Sequence, residues 1–486
     1  MSEVSQRVPP LATVASGSPR LRAISELPGP RGLPLLGNLL QLNTGRMHTI
    51  LDKWASEFGP MYRYRVANRN ALVVADAALI NEVLRNRPDG FQRGKRMQAI
   101  VLELGVDGVF NAEGAKWRRQ RKLAMLALNT NHLREFFTRL EVVTARLQRR
   151  WQRAAAAGQT VDASADLRRF TVDVTSSLAF ATDLNTLETD GDVIQKHLDK
   201  VFPAVARRLF SFIPYWRWFK LPADRELDVA VKQVQQLVNK LVADARQRVA
   251  TDKASDKTPG NLLDAMVAAQ GDDSAVFTDS EVVGNALTML LAGEDTTSNT
   301  LAWMMHLMTE HPAVQGSMQE EADRVLGAAH WPPDYASTGE LHYIEAVALE
   351  TMRHKPVAPF LWLEPAEDAV IGDVHVPKGT PVNVLTGHVA MAADNFADPR
   401  SFRPERWLQA AGRSSDGHNT QAFLPFGAGP RFCPGRHLAM LEIKMVAAML
   451  CRNFKISRAP DSPPTDEVFS FTMMPSSVRV RLRQRS

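Results

Sequence analysis

Cysteine is nearly missing from this sequence: its 486 residues contain two, Cys433 and Cys451. A disulfide framework of the kind that staples exported domains needs more, so a reducing, cytoplasmic setting is expected. Long hydrophobic runs are missing too. The longest, Val282 to Ala292, is interrupted by Asn285 and has about half of the roughly 20 residues that cross a bilayer. It belongs inside protein, and no transmembrane anchor is expected. Residues 1–30 hold Pro9, Pro10, Pro19 and scattered charge, which is neither the apolar core of a signal peptide nor a span. A surplus of one charge is also absent: 58 Lys plus Arg against 53 Asp plus Glu leaves +5, too little on so long a chain to indicate nucleic acid. Hydrophobic residues at 45% and charged residues at 23% exclude disordered, collagenous and coiled-coil classes.

What is present reads as one folded unit. Residues 1–26 suggest a flexible tail, ended by the rigid, turn-rich Pro28-Gly29-Pro30-Arg31-Gly32-Leu33-Pro34. Met61–Asp76 holds two β-type runs around Ala67-Asn68-Arg69-Asn70, a hairpin signal, and residues 369–379 read as strand, turn and strand. Between them the patterns are mostly helical, with polar loops at Asp252–Gly260 and Gly271–Ser274 and no internal repeat. The expected class is mainly α with smaller β regions, a single intertwined α+β domain over residues 27–486.

One helix stands out. Thr278-Asp279-Ser280-Glu281 matches a capping box, and the next stop is His311-Pro312. The rod between is apolar on nearly every side, so it should run through the interior. In its middle sits Gly293-Glu294-Asp295-Thr296-Thr297. Two acids and two threonines there contradict the pattern. One reading is a solvated face with an incidental kink; the other is a local opening of the helix through which a small ligand or water chain reaches Asp295 and Thr296.

Cys433 lies in Phe423-Leu424-Pro425-Phe426-Gly427-Ala428-Gly429-Pro430-Arg431-Phe432-Cys433-Pro434-Gly435-Arg436-His437. The glycines make a tight loop, and a helix is expected from about Pro434. A sulfur at a helix N-terminus is stabilised as thiolate, and glycines let a flat ligand approach. Zinc is not indicated, because Cys451 is too far along the chain for a Cys-x-x-Cys pair. A hydrolytic cysteine with His437 as its base is the competing reading, weakened by the proline that follows the thiol and by the lack of an orienting Asn or Asp.

The segment Phe426–Gly435 resembles the haem-binding loop of the cytochrome P-450 family, matching at Phe426, Gly427, Arg431, Cys433 and Gly435. Ala292-Gly293-Glu294-Asp295-Thr296-Thr297 is similar to that family's oxygen-activation groove. Glu350-Thr351-Met352-Arg353 resembles its Glu-x-x-Arg pair, and Phe402-Arg403-Pro404-Glu405-Arg406-Trp407 its Pro-Glu-Arg-aromatic segment. The four occur in the family's order. The resemblance implies that fold, with the long central helix lying over a haem b, and a haem-thiolate monooxygenase of the soluble, bacterial kind (EC 1.14 type). It implies Cys433 as iron ligand and Asp295 with Thr296 as the catalytic proton relay. Trp117 and Arg121, at i and i+4, would reach a propionate together with Arg431, while Ala292, Phe426 and Gly435 would flank the macrocycle. Glu350, Arg353 and Arg406 would form a structural ion-pair cluster.

Two departures from the family's pattern bear on propionate binding. Leu363 stands where relatives carry an arginine, and Ala390-Met391-Ala392-Ala393 where many carry His-Arg-Asp-Pro, leaving His388 as a substitute. The implied partners are O2, a lipophilic small-molecule substrate and a separate ferredoxin or flavodoxin-type donor that relays electrons from NAD(P)H; a monomer is implied. Lys116, Arg118, Arg119, Lys122, Arg436 and Lys444 would form a basic face for that donor. The pocket-lining segments are Phe91–Phe110, Val201–Lys220, Val357–Leu361 and Phe471–Met474, predominantly apolar, with a substrate lid or a membrane-touching surface as readings of Arg207–Lys220. A peroxide-using haem enzyme or a non-catalytic haem or ligand-binding protein is the alternative function.

Overall fold

The computed structural model describes residues 20–189, 194–211, 213–253, 261–270, 277–408 and 418–485. Its architecture follows from the central helix, Asp279–Glu310. The Thr278 hydroxyl accepts from the Glu281 N–H at 3.2 Å, and the Glu281 carboxylate accepts from the Thr278 N–H at 2.9 Å, which satisfies donors the helix cannot pair itself. The helix runs 32 residues, roughly 48 Å at 1.5 Å per residue. It ends where Pro312 opens the next helix, Pro312–Leu326. Leu290, Leu301, Trp303 and Met304 on it are buried.

The helix Ala163–Phe180 crosses this rod at Gly293. A Cβ at position 293 would lie 2.3 Å from Thr175 Oγ1, so glycine here lets the Thr175 side chain pack directly on the central helix backbone. The segment for which a kinked, solvated face and a local opening are the two readings stays helical. The Thr296 hydroxyl donates to the Ala292 carbonyl at 2.9 Å and the Thr300 hydroxyl to the Thr296 carbonyl at 2.9 Å, and the helix continues through the segment.

Around the rod, the helices Thr130–Ala156, Ala163–Phe180, Pro312–Leu326, His342–His354 and Arg436–Asn453 share one apolar core with it. The small sheets join distant parts of the chain. A five-stranded sheet runs Met61–Val66, Arg69–Val74, Val382–Val384, Leu361–Pro365, Phe91–Arg93. Thr160–Asp162 pairs with the C-terminal strand Arg479–Gln484. The mixed α+β architecture is therefore as expected.

Some boundaries differ. The hairpin turn is only Ala67-Asn68, since Val66 pairs with Arg69. Arg22–Ala23 pairs in parallel with Val374–His375, and Arg22 binds the Asp373 carboxylate at 2.6 Å, so residues 22–26 belong to the folded body instead of the tail. The cysteine-bearing loop enters its helix at Arg436, two residues later than expected, because Gly435 is the cap. Helix Pro222–Lys253 extends into the expected 252–260 loop; the rest of that loop, residues 271–274, Phe212 and residues 1–19 lie outside the described residues. Among the described residues no helix is long and apolar enough to cross a membrane.

The close crossing gives a direct test. Gly293→Val forces two methyl groups into the Thr175 contact and should cost about 1–3 kcal/mol, read as a lower melting temperature; unchanged melting would show that the crossing tolerates a side chain.

Candidate haem site

A cavity of about 350 Å³ lies between the central helix and the cysteine loop. Ala292, Gly293, Thr296 and Thr297 line it from the helix, and Phe426, Gly427, Arg431, Cys433 and Gly435 from the loop. The loop shape is enforced by backbone. The Cys433 N–H donates to the Phe426 carbonyl at 2.8 Å. Gly429 has φ +66, and a Cβ there would sit 2.4 Å from the Leu84 carbonyl oxygen, so this position admits only glycine. Cys433 is a free thiol. Burial pushes its pKa up, while the Gly435 N–H and the Arg121 and Arg436 guanidiniums pull the other way. Cys451 is buried in the apolar core, where burial raises its pKa strongly, and takes no part in the cavity. Among the described residues no three His, Cys, Asp or Glu side chains converge as a metal-ligand set, so neither a zinc cage nor a Cys433–His437 dyad with an orienting acid is found. His437 is instead beside Arg436 at 3.2 Å.

Trp117 and Arg121, one turn apart on the helix Gly114–Ala127, both reach the cavity. The Arg121 guanidinium donates to the Phe432 carbonyl at 2.7 Å. Arg431 lies 4.5 Å over the Trp117 ring and binds the Ala112 carbonyl at 2.7 Å and the Glu113 carboxylate. Two further arginines, which no motif marks, complete the edge. Arg93 lines the cavity 3.6 Å over the Phe110 ring, and Arg87 is buried behind it. Burial first, then mutual repulsion with Arg431, lowers Arg87 to about 10, and burial with repulsion by Arg87 and Arg431 lowers Arg93 as well. Glu113 is the one acid that opposes these shifts.

Thr296 faces the cavity, but Asp295 does not line it. The Asp295 carboxylate is held by Asn299 Nδ2 at 3.0 Å and by the Thr472 hydroxyl. Burial raises its pKa, opposed by Thr472, Arg168 and Asn299. Glu294 is buried beside it with Oε1 unpartnered, its pKa raised by burial, Asp199 and Asp295. Glu442, on the cysteine helix Arg436–Asn453, is a third raised acid; it lines the cavity with Thr297 beside it and Oε2 unpartnered.

With this geometry in view, comparison with known proteins is decisive: residues 27–482 match the family model for cytochrome P-450. The chain belongs to the cytochrome P-450 family. It is 28% identical over 466 residues to the human protein named 25-hydroxyvitamin D-1 alpha hydroxylase, mitochondrial, covering 91% of this chain and 89% of that one. It is 27% identical to carotene epsilon-monooxygenase, chloroplastic, of Arabidopsis thaliana over 88% of this chain and 81% of that one. Protein LUTEIN DEFICIENT 5, chloroplastic, of the same plant is 25% identical over 84% of this chain and 69% of its own length. As a family member the protein is a haem-dependent monooxygenase, an oxidoreductase that uses O2 and takes electrons from a redox partner.

The residues present fit a haem. Arg87 Nε and Nη2 and Arg431 Nε are buried without a hydrogen-bond partner, in a cluster of three guanidiniums facing one carboxylate. Such an excess of buried positive charge calls for a dianion, which two propionates supply. The departure at Leu363 finds its counterpart here: Arg93 pairs directly across the sheet from Leu363, so a cation returns to nearly the same place from the neighbouring strand. His388 is not brought to the cavity; it faces Asp52 at 3.7 Å.

The expected ion-pair cluster is complete. Arg353 binds Glu350 through two hydrogen bonds of 2.9 and 2.8 Å, Arg406 Nε adds one of 3.1 Å, and Trp407 Nε1 and the Arg403 N–H add 2.8 and 2.9 Å. Burial favours the neutral Glu350, yet Arg353, with His354 and the Arg403 backbone N–H, holds it below the usual carboxylate range. The basic face, in contrast, is smaller than the sequence suggested. Lys116 pairs with Asp107 at 2.7 Å, Arg118 with Asp89 at 2.7 Å, Arg119 with Glu281 at 2.6 Å and Lys444 with Glu345. Lys122 and Arg436 remain exposed. Of the aromatic stretch, Phe202 and Trp216 pack inward while Trp218 and Phe219 are 71% and 56% exposed.

Removing one partner from the Glu350 cluster strands a buried charge, which costs on the order of 3–5 kcal/mol. Arg353→Ala should therefore fail to retain haem and melt early; a normally folded, haem-replete variant would count against the assignment.

Proposed function

We propose that this cytochrome P-450 hydroxylates or epoxidises a lipophilic small molecule, with Cys433 as the iron ligand. The observation that carries the reading is that Cys433 and Thr296 line one predominantly apolar cavity whose edge gathers Arg93, Arg121 and Arg431, with Arg431 Nε left without a hydrogen-bond partner. Bound there, a thiolate-ligated haem b would supply oxygen activation, because the electron-rich sulfur favours O–O cleavage. Arg93, Arg121 and Arg431, with Trp117 under Arg431, are the groups suited to hold its propionates. Ala292, Phe426 and Gly435 line the cavity without charge and leave space for a flat ligand. Thr296 presents its hydroxyl to the cavity, and Asp295, the residue before it, is the acid placed to feed a proton toward that hydroxyl once it turns inward.

Val357, Ala358, Leu361 and Phe110 complete apolar walls, which suits a fatty acid, terpenoid, steroid or macrocycle. The electron donor is a separate ferredoxin or flavodoxin-type protein supplied by NAD(P)H. Its docking rests on Lys122 and Arg436 more than on the four basic residues already paired within the chain. The protein is read as a cytoplasmic monomer, a setting supported by the scarcity of cysteine.

Two measurements test this reading. The reduced carbon-monoxide complex should show the long-wavelength Soret band of thiolate ligation, and Cys433→His should abolish it; a histidine-type wild-type spectrum would refute Cys433. With a surrogate reductase and ferredoxin, Thr296→Ala should still bind substrate and consume NAD(P)H, with product per electron reduced roughly tenfold and hydrogen peroxide released in its place. Asp295→Asn should slow turnover more than it raises peroxide. Wild-type coupling in Thr296→Ala would favour a peroxide-using or non-catalytic haem protein.

A further inference from the structure

The strands Glu467–Ser470 and Thr472–Pro475 form a hairpin whose tip is the single residue Phe471. Its φ of +78 is a region that bulky side chains avoid, so the tip is held by what surrounds it. The Phe471 ring stacks on Phe202 with centroids 4.8 Å apart and planes at 4°, and meets the Phe110 ring edge-on at 6.0 Å. Phe110 is itself a wall of the cavity. The base of the hairpin is fixed by Glu467, which binds His48 at 2.9 Å and Lys355 at 2.6 Å. The next residue after the strained tip is Thr472, whose hydroxyl donates to Asp295. A contact path thus leaves the cavity at Phe110, passes through Phe471 and Thr472 to Asp295, and returns at Thr296.

We propose that Thr472 is a positioning residue that tethers the Asp295 carboxyl away from the cavity, and that a molecule displacing Phe110 shifts the strained Phe471 tip and loosens the tether. The inference rests on the reading of Asp295 as the proton-delivering acid. It makes proton delivery conditional on an occupied cavity, which is where wasteful peroxide release would otherwise begin. The other groups facing Asp295 are Asn299 and Glu294 on its own helix, Arg168 from the crossing helix, and Asp199. Thr472, next to the aromatic tip, joins the acid to the pocket wall.

The test uses the haem-loaded protein and 4-phenylimidazole as a cavity-filling probe whose binding is confirmed optically. In wild type, the amides of residues 467–475 should exchange roughly tenfold faster with the probe bound. Thr472→Val should exchange fast already without it. Phe471→Gly, which accepts the positive φ without a ring, should lose the response to the probe. The protonated-carboxyl infrared band that disappears in Asp295→Asn should shift on probe binding in wild type, be shifted beforehand in Thr472→Val, and return in Thr472→Ser. Exchange that ignores the probe, or a Thr472→Val band identical to wild type, overturns the tether. If Asp295→Asn keeps wild-type coupling while the exchange response persists, the role of the acid falls and the tether stands.

Discussion

The Glu350 carboxylate is the point on which the haem-binding half of the molecule hangs. It gathers Arg353 from its own helix, Arg406 and Trp407 from a short turn more than fifty residues later, and the Arg403 backbone N–H. Arg353 then reaches on to the carbonyls of Ala390 and Pro399. One buried anion therefore fixes the path of the chain from residue 390 to 407, the stretch that leads into the Cys433 loop. Isolated, this carboxylate would be costly in such a place; surrounded by two guanidiniums and two further N–H donors, it becomes an organising centre.

The cavity shows the opposite condition. At its edge, Arg87, Arg93 and Arg431 crowd around Glu113 with nitrogens left unpaired. Glu442, which lines it from the cysteine helix, and Glu294 and Asp295, next to the lining residues Gly293 and Thr296, are pushed toward the neutral form by burial. The fold has thus concentrated cations at one edge of the cavity and acids of raised pKa near its wall.

Much of this was legible in the sequence because it was local. The capping box at Thr278, the glycine loop before Cys433, and the i, i+4 spacing of Trp117 and Arg121 each lie within a few residues, and each appears where expected. What escaped depends on pairing across the fold. Arg93 gains its place from cross-strand register with Leu363, and no spacing rule connects the two. Thr472 meets Asp295 across 177 residues of sequence. The basic face shrank for the same reason: Lys116, Arg118 and Arg119 find acids at Asp107, Asp89 and Glu281, which a reading of one helix cannot see. The close crossing at Gly293 escaped likewise, because its neighbour, Thr175, comes from another helix.

The two kinds of buried acid respond to pH with opposite signs, and this sets where the fold is most secure. Glu350 is depressed below the carboxylate range, so its stabilising contribution is fully present at neutral pH and is lost only as pH falls through its folded value. Asp295, Glu294 and Glu442 are raised, so their neutral forms are the ones the fold accommodates; that contribution is present in acid and is lost as pH rises through their folded values. Acid therefore attacks the scaffold beneath the cysteine loop, whereas base charges the acids beside the cavity. Neutral buried carboxyls can exist beside the salt-bridge scaffold only between those limits, and the Thr472 and Asn299 hydrogen bonds, which pull Asp295 back toward the ordinary range, narrow that interval from the alkaline side.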